Sequence, residues 1–248
     1  MLKIRGCGLI FCITLLTSSW LNASTISVEK RFQLEQQLEE LIKEQPYIVS
    51  IYCETSEGAT TLSGFFVNSY GYVATAGHAP FKEAKKIEVV LKSGQRFKAH
   101  FIDEIQTLDL AVLLVESKTN KFPVASFLTL KKLFPQEDTV KHLYWFEISD
   151  KVPAEERFVV FICTDKNSEL VLNRIYIGEI ASWGKDDPEI TVSQSKGNDA
   201  CGCSGTPVIT RQGKVIGMAN AAADTTVYLL DADSISRAVR LIIKKDRK

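Results

Sequence analysis

The sequence has no excess of charge of either sign: thirty Lys and Arg stand against thirty Asp and Glu. That balance argues against nucleic acid or an anionic membrane surface as a partner. It has no internal repeat and no low-complexity tract, which excludes repeat arrays and compositionally biased stalks. Beyond the first two dozen residues, no apolar run approaches the roughly 20 residues of a membrane-crossing helix. Metal-ligand spacing is missing as well. Cys201 and Cys203 form a C-x-C with no Cys or His pair nearby, so no metal site is expected. Histidine is scarce, with only His78, His100 and His142 present. Candidates for a general base are correspondingly few.

What is present begins with an export signal. Lys3 and Arg5 precede an almost unbroken apolar run from Gly8 to Leu16, followed by Ser18, Ser19, Asn22 and Ala23. This is the layout of a secretory signal peptide over 1–23, with cleavage after Ala23. The alternative is an uncleaved anchor extended by Trp20 and Leu21. Lys3 and Arg5 leave with the signal and no acid does, so the mature chain carries 28 bases against 30 acids, a net charge of −2. An exported chain without a membrane span follows, periplasmic or secreted. Cleavage also removes Cys7 and Cys12 and leaves Cys53, Cys163, Cys201 and Cys203. Four cysteines allow two disulfides in three connectivities. A bridge between Cys201 and Cys203 is geometrically awkward, and four buried thiols are the alternative.

Residues 24–46 read as a helical segment. Ser27 can cap it, and Val28, Phe32, Leu34, Leu38, Leu41 and Ile42 fall mostly on one face. Gln45-Pro46 ends it, because proline pushes the residue before it out of helical geometry. It is read as packed on the domain surface, with oligomerisation through this helix as the alternative. From Tyr47 onward the texture is short strands separated by turn residues. They lie at 47–54, 61–68, 72–75, 87–92, 95–103 and 110–115, then, after an irregular linker at 117–156, at 158–163, 170–182, 190–194, 206–210, 214–219 and 225–230. A closing helix from Asp233 to about Lys245 is capped by Asp231 or Asp233. Short, evenly spaced strands indicate an all-β, antiparallel sandwich or barrel architecture. The chain divides into a β-rich half at 47–116, the linker, and a second half with the helix at 157–248.

Three segments carry chemistry. Ala74-Thr75-Ala76-Gly77-His78 puts a histidine just past a strand among small residues. Leu108-Asp109-Leu110-Ala111-Val112-Leu113 puts one acid at the mouth of an apolar strand, and Gly202-Cys203-Ser204-Gly205-Thr206-Pro207-Val208 puts a serine in a glycine-rich turn. A serine hydroxyl attacks a carbonyl only when a base takes its proton, and a neutral histidine serves. A carboxylate on the far ring nitrogen fixes the tautomer and stabilises the imidazolium. Backbone N–H groups of a glycine-rich turn, here Gly202 and Ser204, can stabilise an oxyanion. Each segment alone has a bland structural explanation, whereas the three in the order His, Asp, Ser at strand boundaries are far more specific. No cofactor is required by this chemistry.

With these motifs the chain resembles the trypsin/chymotrypsin-like serine peptidases, and most of all their bacterial HtrA-like branch. T-A-G-H at 75–78, D-L-A-V-L at 109–113 and G-C-S-G-T-P-V at 202–208 are similar to that family's histidine, aspartate and serine motifs. Ser63-Gly64-Phe65-Phe66-Val67, Gly213-Lys214-Val215-Ile216-Gly217 and Val227-Tyr228-Leu229-Leu230 resemble its strands before the histidine, after the serine and before the closing helix. Spanning about 47–245, the resemblance implies two antiparallel six-stranded barrels with the site between them. It also implies a serine endopeptidase acting on polypeptides; in a departure from many HtrA-like relatives, no PDZ module is expected after the helix. The pocket for the residue before the scissile bond would have Asn198 as its floor. Asn220, Ala221 and Ala222 would form its wall, with Thr226 projecting into it. That makes it shallow and uncharged unless a one-residue shift brings in Asp199. Two departures stand out: Cys203 replaces the usual Asp or Asn before the serine, and Thr206 a second glycine. An α/β-hydrolase is excluded because position 206 is not glycine and the acid precedes the serine. A cysteine peptidase is excluded because Cys201 and Cys203 are out of register. The remaining rival is a catalytically inactive binding or structural module of the same fold.

Overall fold

The computed structural model describes residues 26–117, 121–127, 146–147, 157–164, 172–183, 189–192, 203–223 and 226–248. The signal segment, most of the linker with His142, and Asn198, Asp199, Cys201 and Gly202 lie outside the described residues.

Helix α1 (Val28–Lys43) begins where Ser27 accepts a hydrogen bond from the Lys30 N–H. Leu34, Leu38 and Ile42, four residues apart and therefore stacked on one face, are all buried. Six strands follow: β1 (Ile48–Glu54), β2 (Ala59–Phe66), β3 (Tyr72–Ala76), β4 (Lys86–Leu91), β5 (Arg96–Ile105) and β6 (Leu110–Val115). They close an antiparallel barrel in the order β1-β2-β3-β6-β5-β4, with β1 pairing both β2 and β4. Closure leaves no strand edge in this barrel without a partner. Both faces of its sheet are buried: Ile51, Phe66, Val89 and Leu113 share one face by register and Ile48 and Phe65 the other, none with measurable exposure.

The second sheet has seven strands, β7 (Phe146–Glu147), β8 (Phe158–Thr164), β9 (Leu172–Trp183), β10 (Glu189–Val192), β11 (Pro207–Thr210), β12 (Val215–Ala223) and β13 (Thr226–Asp231). Their order is β10-β13-β12-β11-β8-β9-β7, and β10 also pairs with β9. Six strands thus run in a ring and β7, inside the segment expected to be irregular, adds a short seventh at the edge of β9. Helix α2 (Ala232–Asp246) starts on Asp231, whose carboxylate accepts from the N–H groups of Asp233 and Ser234. Strand β6 has its expected bounds, and other strand ends differ from the sequence expectation by at most four residues.

The two helices strap the halves together crosswise. α1 precedes the first barrel but packs against β8 and β9 of the second sheet, with the Arg31 guanidinium over the Phe158 ring at 5.6 Å. Its C-terminal carbonyls are held by the first barrel: Lys92 Nζ donates to Ile42 O at 2.6 Å and Lys43 O at 3.1 Å. Burial pulls the Lys92 ammonium down to about 8, while the two carbonyls at the negative end of the helix dipole favour its charge. α2 in turn follows the second sheet but reaches β5 and β6. Lys245 pairs with Asp103 at 2.7 Å, and Tyr72 Oη donates to Asp246 at 2.5 Å. Leu34, Leu38 and Ile42 of α1 are therefore buried within the chain, while Val28 and Phe32 remain exposed. Among the described residues, no helix is long and apolar enough to cross a membrane.

Candidate active site

The pairing of β3 with β6 sets the first half of the site. Ala76, the last residue of β3, lies opposite Leu110, the first of β6. His78 and Asp109 stand just beyond those paired ends. Between them, Gly77 N–H donates to Asp109 O at 2.9 Å. Asp109 closes a 3-10 turn over Gln106–Leu108 in the left-handed region, with φ at 46°, a conformation that Asp tolerates better than most side chains. His78 Nδ1 is 2.8 Å from Asp109 Oδ2. A carboxylate only accepts, so the ring donates Nδ1–H, and the neutral imidazole keeps its lone pair on Nε2. Both groups retain solvent contact, with side-chain exposures of 49% and 33%.

The serine turn supplies the second half. Thr206 N–H donates to Cys203 O at 2.9 Å across Ser204 and Gly205, and Gly205 has φ +85°. That is the third position of a type II turn, which requires glycine or a residue that tolerates positive φ. Space gives a second reason for glycine. A Cβ at 205 would lie 2.2 Å from Ser63 O, 2.5 Å from Thr75 Oγ1 and 2.9 Å from Ala76 N. The turn is thus pressed against β2 and β3, two residues short of His78. Ser63 N–H donates to Ser204 O at 3.0 Å, and Gly205 N–H to Ala219 O at 2.8 Å. Ser204 itself is half-buried. Among the described residues no hydrogen bond joins its hydroxyl to His78, and such contacts are often long before substrate binds.

Beneath the turn is a set of buried hydroxyls whose partners the sequence does not reveal. Thr164 Oγ1 lies 3.1 Å from Ser50 Oγ, 3.1 Å from Leu62 O and 3.2 Å from Ser63 Oγ. Thr75 Oγ1 donates to Ser63 O at 2.8 Å, and Thr206 Oγ1 to Ile162 O at 2.6 Å. Burial makes each of these bonds costly to leave unmade, and those of Thr164 to Ser50, Leu62 and Ser63 register the two halves against one another.

Cys203 is joined to Cys163 at the end of β8, with Cα atoms 4.5 Å apart. One of the alternatives left open for the cysteines is therefore resolved, and a covalent link stands where the resemblance calls for an acidic or amide side chain before the serine. Both sulfurs sit in the core of the second sheet with Phe161, Tyr176 and Ile216. With the linked positions 40 residues apart in sequence, the chain-entropy account gives about 4 kcal/mol of stabilisation. Replacing both cysteines with alanine should lower the unfolding free energy by about 2–5 kcal/mol, measured by urea denaturation against the oxidised wild type. Cys53 is a buried free thiol. Desolvation, with a smaller contribution from Glu83, pushes it up to about 11, which leaves it inert as a nucleophile.

Of the pocket residues expected from the sequence, Ala221 and Ala222 are exposed near the end of β12, and Thr226 opens β13 opposite Ala223. The Asn220 side chain reaches the first barrel, its Nδ2 donating to Leu108 O at 3.0 Å. His100, not assigned to the site, pairs with Glu116 on the outside of the first barrel.

Comparison with known proteins agrees with this architecture. The model of the trypsin-like peptidase domain matches residues 62–218, a span that contains His78, Asp109 and Ser204. No curated protein matches the chain in sequence. Among solved structures, it is similar to the serine endoprotease from Yersinia pestis, with a TM-score of 0.62 and 17% identity over 84% of this chain and 66% of that one. At that identity the likeness speaks for the fold alone, and the chain spans just under two thirds of the Yersinia chain. Because the family match takes in well over half of the 248 residues, this chain belongs to the trypsin-like peptidase domain family.

Proposed function

We propose that the chain is an exported serine endopeptidase with Ser204 as nucleophile, His78 as base and then acid, and Asp109 as the carboxylate that orients His78. The observation that carries this reading is the 2.8 Å hydrogen bond from His78 Nδ1 to Asp109, beside a serine turn packed on the strand that leads to the histidine. His78 Nε2 takes the Ser204 proton as Oγ attacks the scissile carbonyl. The carbonyl oxygen gains the negative charge and is held by the N–H groups of Gly202 and Ser204. Collapse of the tetrahedral species expels the amine, which leaves with the proton from His78, and an acyl-serine remains. Water attacks that ester by the same route and frees the second product.

Export is supported by the basic-then-apolar N-terminal layout and by the Cys163–Cys203 disulfide, since such bonds persist in oxidising compartments. For specificity, a wall of Asn220, Ala221 and Ala222, with Thr226 projecting and Asn198 as floor, would make a shallow site without charge. A buried cation there would find no carboxylate to offset its desolvation. Cleavage is expected after Ala, Val, Thr or Leu, with discrimination of about 1–3 kcal/mol per methylene. Profiling a peptide library tests this, and dominant cutting after Lys or Arg would put Asp199 at the floor instead.

A further inference from the structure

We propose that Asn220 is a positioning residue for Asp109, acting through the backbone of the Leu108–Asp109 loop. The idea rests on the assignment of Asp109 as the carboxylate that orients His78. In the ladder between β12 and β13, Ala219 pairs with Leu229 and Ala221 with Tyr228, and the register shifts between them. Asn220 is the extra residue of that bulge, and a bulge re-aims its side chain away from the regular alternation. Here it is re-aimed at the other barrel. Asn220 Nδ2 lies 3.0 Å from Leu108 O and 3.4 Å from Asp109 O. An amide nitrogen carries two N–H donors, one for each carbonyl.

The arrangement has a cost that a merely space-filling residue would not incur. Asn220 Oδ1 is buried without a hydrogen-bond partner among the described residues, and a buried orphan acceptor is unfavourable. The loop that Asn220 holds needs holding, because Asp109 sits in the left-handed region. The neighbouring residue completes the device: Ala219 accepts from Gly205 N–H at 2.8 Å and donates to Thr206 O at 2.9 Å. One dipeptide, Ala219-Asn220, therefore grips the serine turn with its backbone and the aspartate loop with its side chain. It fixes the distance between the two ends of the triad, although the chain elements that carry them belong to different sheets.

The test compares Asn220→Ala and Asn220→Asp in the full mature chain with wild type and with Ser204→Ala. Asn220→Ala is expected to lower kcat about 100-fold, the scale of an ångström of misplacement, with KM changed less than about 3-fold. Asn220→Asp preserves volume, but its carboxyl can donate only when protonated and repels both carbonyls when ionised. Its kcat should therefore recover toward wild type as pH falls and collapse as pH rises, opposite to a site that needs a neutral histidine. If Asn220→Ala does not fold, the pH profile of Asn220→Asp decides alone. A kcat within 2-fold of wild type for both variants, or an Asn220→Asp profile parallel to wild type, overturns the proposal. Activity that survives Ser204→Ala instead overturns the underlying triad assignment, whatever position 220 does.

Discussion

Ser204→Ala and His78→Ala should each lower peptide hydrolysis by about 10⁶-fold in kcat, the scale seen when either partner of such a unit is removed. Asp109→Asn should cost about 10⁴-fold, because an amide can donate to Nδ1 and so favours the wrong tautomer. The ordering follows from the chemistry: without Ser204 no acyl-serine forms, and without His78 nothing takes the proton. Without the Asp109 carboxylate the ring is still present but misassigned. Combining any two of these substitutions should add little to the larger single effect, since the three act as one unit. Steady-state hydrolysis of a fluorogenic peptide checks both the magnitudes and the non-additivity. Additive losses would mean that the residues act separately.

Gly205→Ala is expected to lower activity for a different reason. The methyl would meet Ser63 O at 2.2 Å, and the residue already stands at φ +85°. The obstacle is backbone, which cannot swing away as a flexible side chain does. The turn must move off β2 and β3, breaking the bond from Ser63 N–H to Ser204 O and carrying the hydroxyl away from His78. A displacement of about 1 Å at a reacting atom costs about 100-fold, so the variant should fall at least that far in kcat. Its melting temperature should fall too, by several degrees for each kcal/mol of strain. Kinetics and thermal unfolding on the same sample test this. Wild-type activity in Gly205→Ala would show that the turn is not held against the first barrel as described.

Features set by local pattern were readable in the sequence, and features set by contacts between distant segments were not. Ser27 and Asp231 mark helix starts because capping involves only the next three residues. Leu110–Val115 is legible as a strand because an apolar run bounded by polar residues is a local signal. The positions of His78, Asp109 and Ser204 at strand boundaries were visible for the same reason. By contrast, nothing near Cys203 in sequence selects Cys163 from the open pairings; the choice is made by β8 lying beside β11. The partners of Ser63, Thr164 and Asn220 have no local signal, because their bonds span about a hundred residues. Strand β7, only two residues long, has no periodicity to detect. The apolar spacing of α1 was legible too, but not its neighbours: Leu34, Leu38 and Ile42 join a core cluster with residues of both halves, such as Ile48 and Phe158.

The central claim is that Ser204 is an activated nucleophile, and labelling the mature protein with a fluorophosphonate followed by peptide mass spectrometry tests it most directly. The reagent reacts with a serine hydroxyl only when a base and an oxyanion site are assembled around it. A single adduct on Ser204 is predicted, absent from Ser204→Ala and strongly reduced in His78→Ala. A folded, disulfide-intact sample that takes up no label, or takes it up at another residue, would contradict the account and leave a binding module on a peptidase fold.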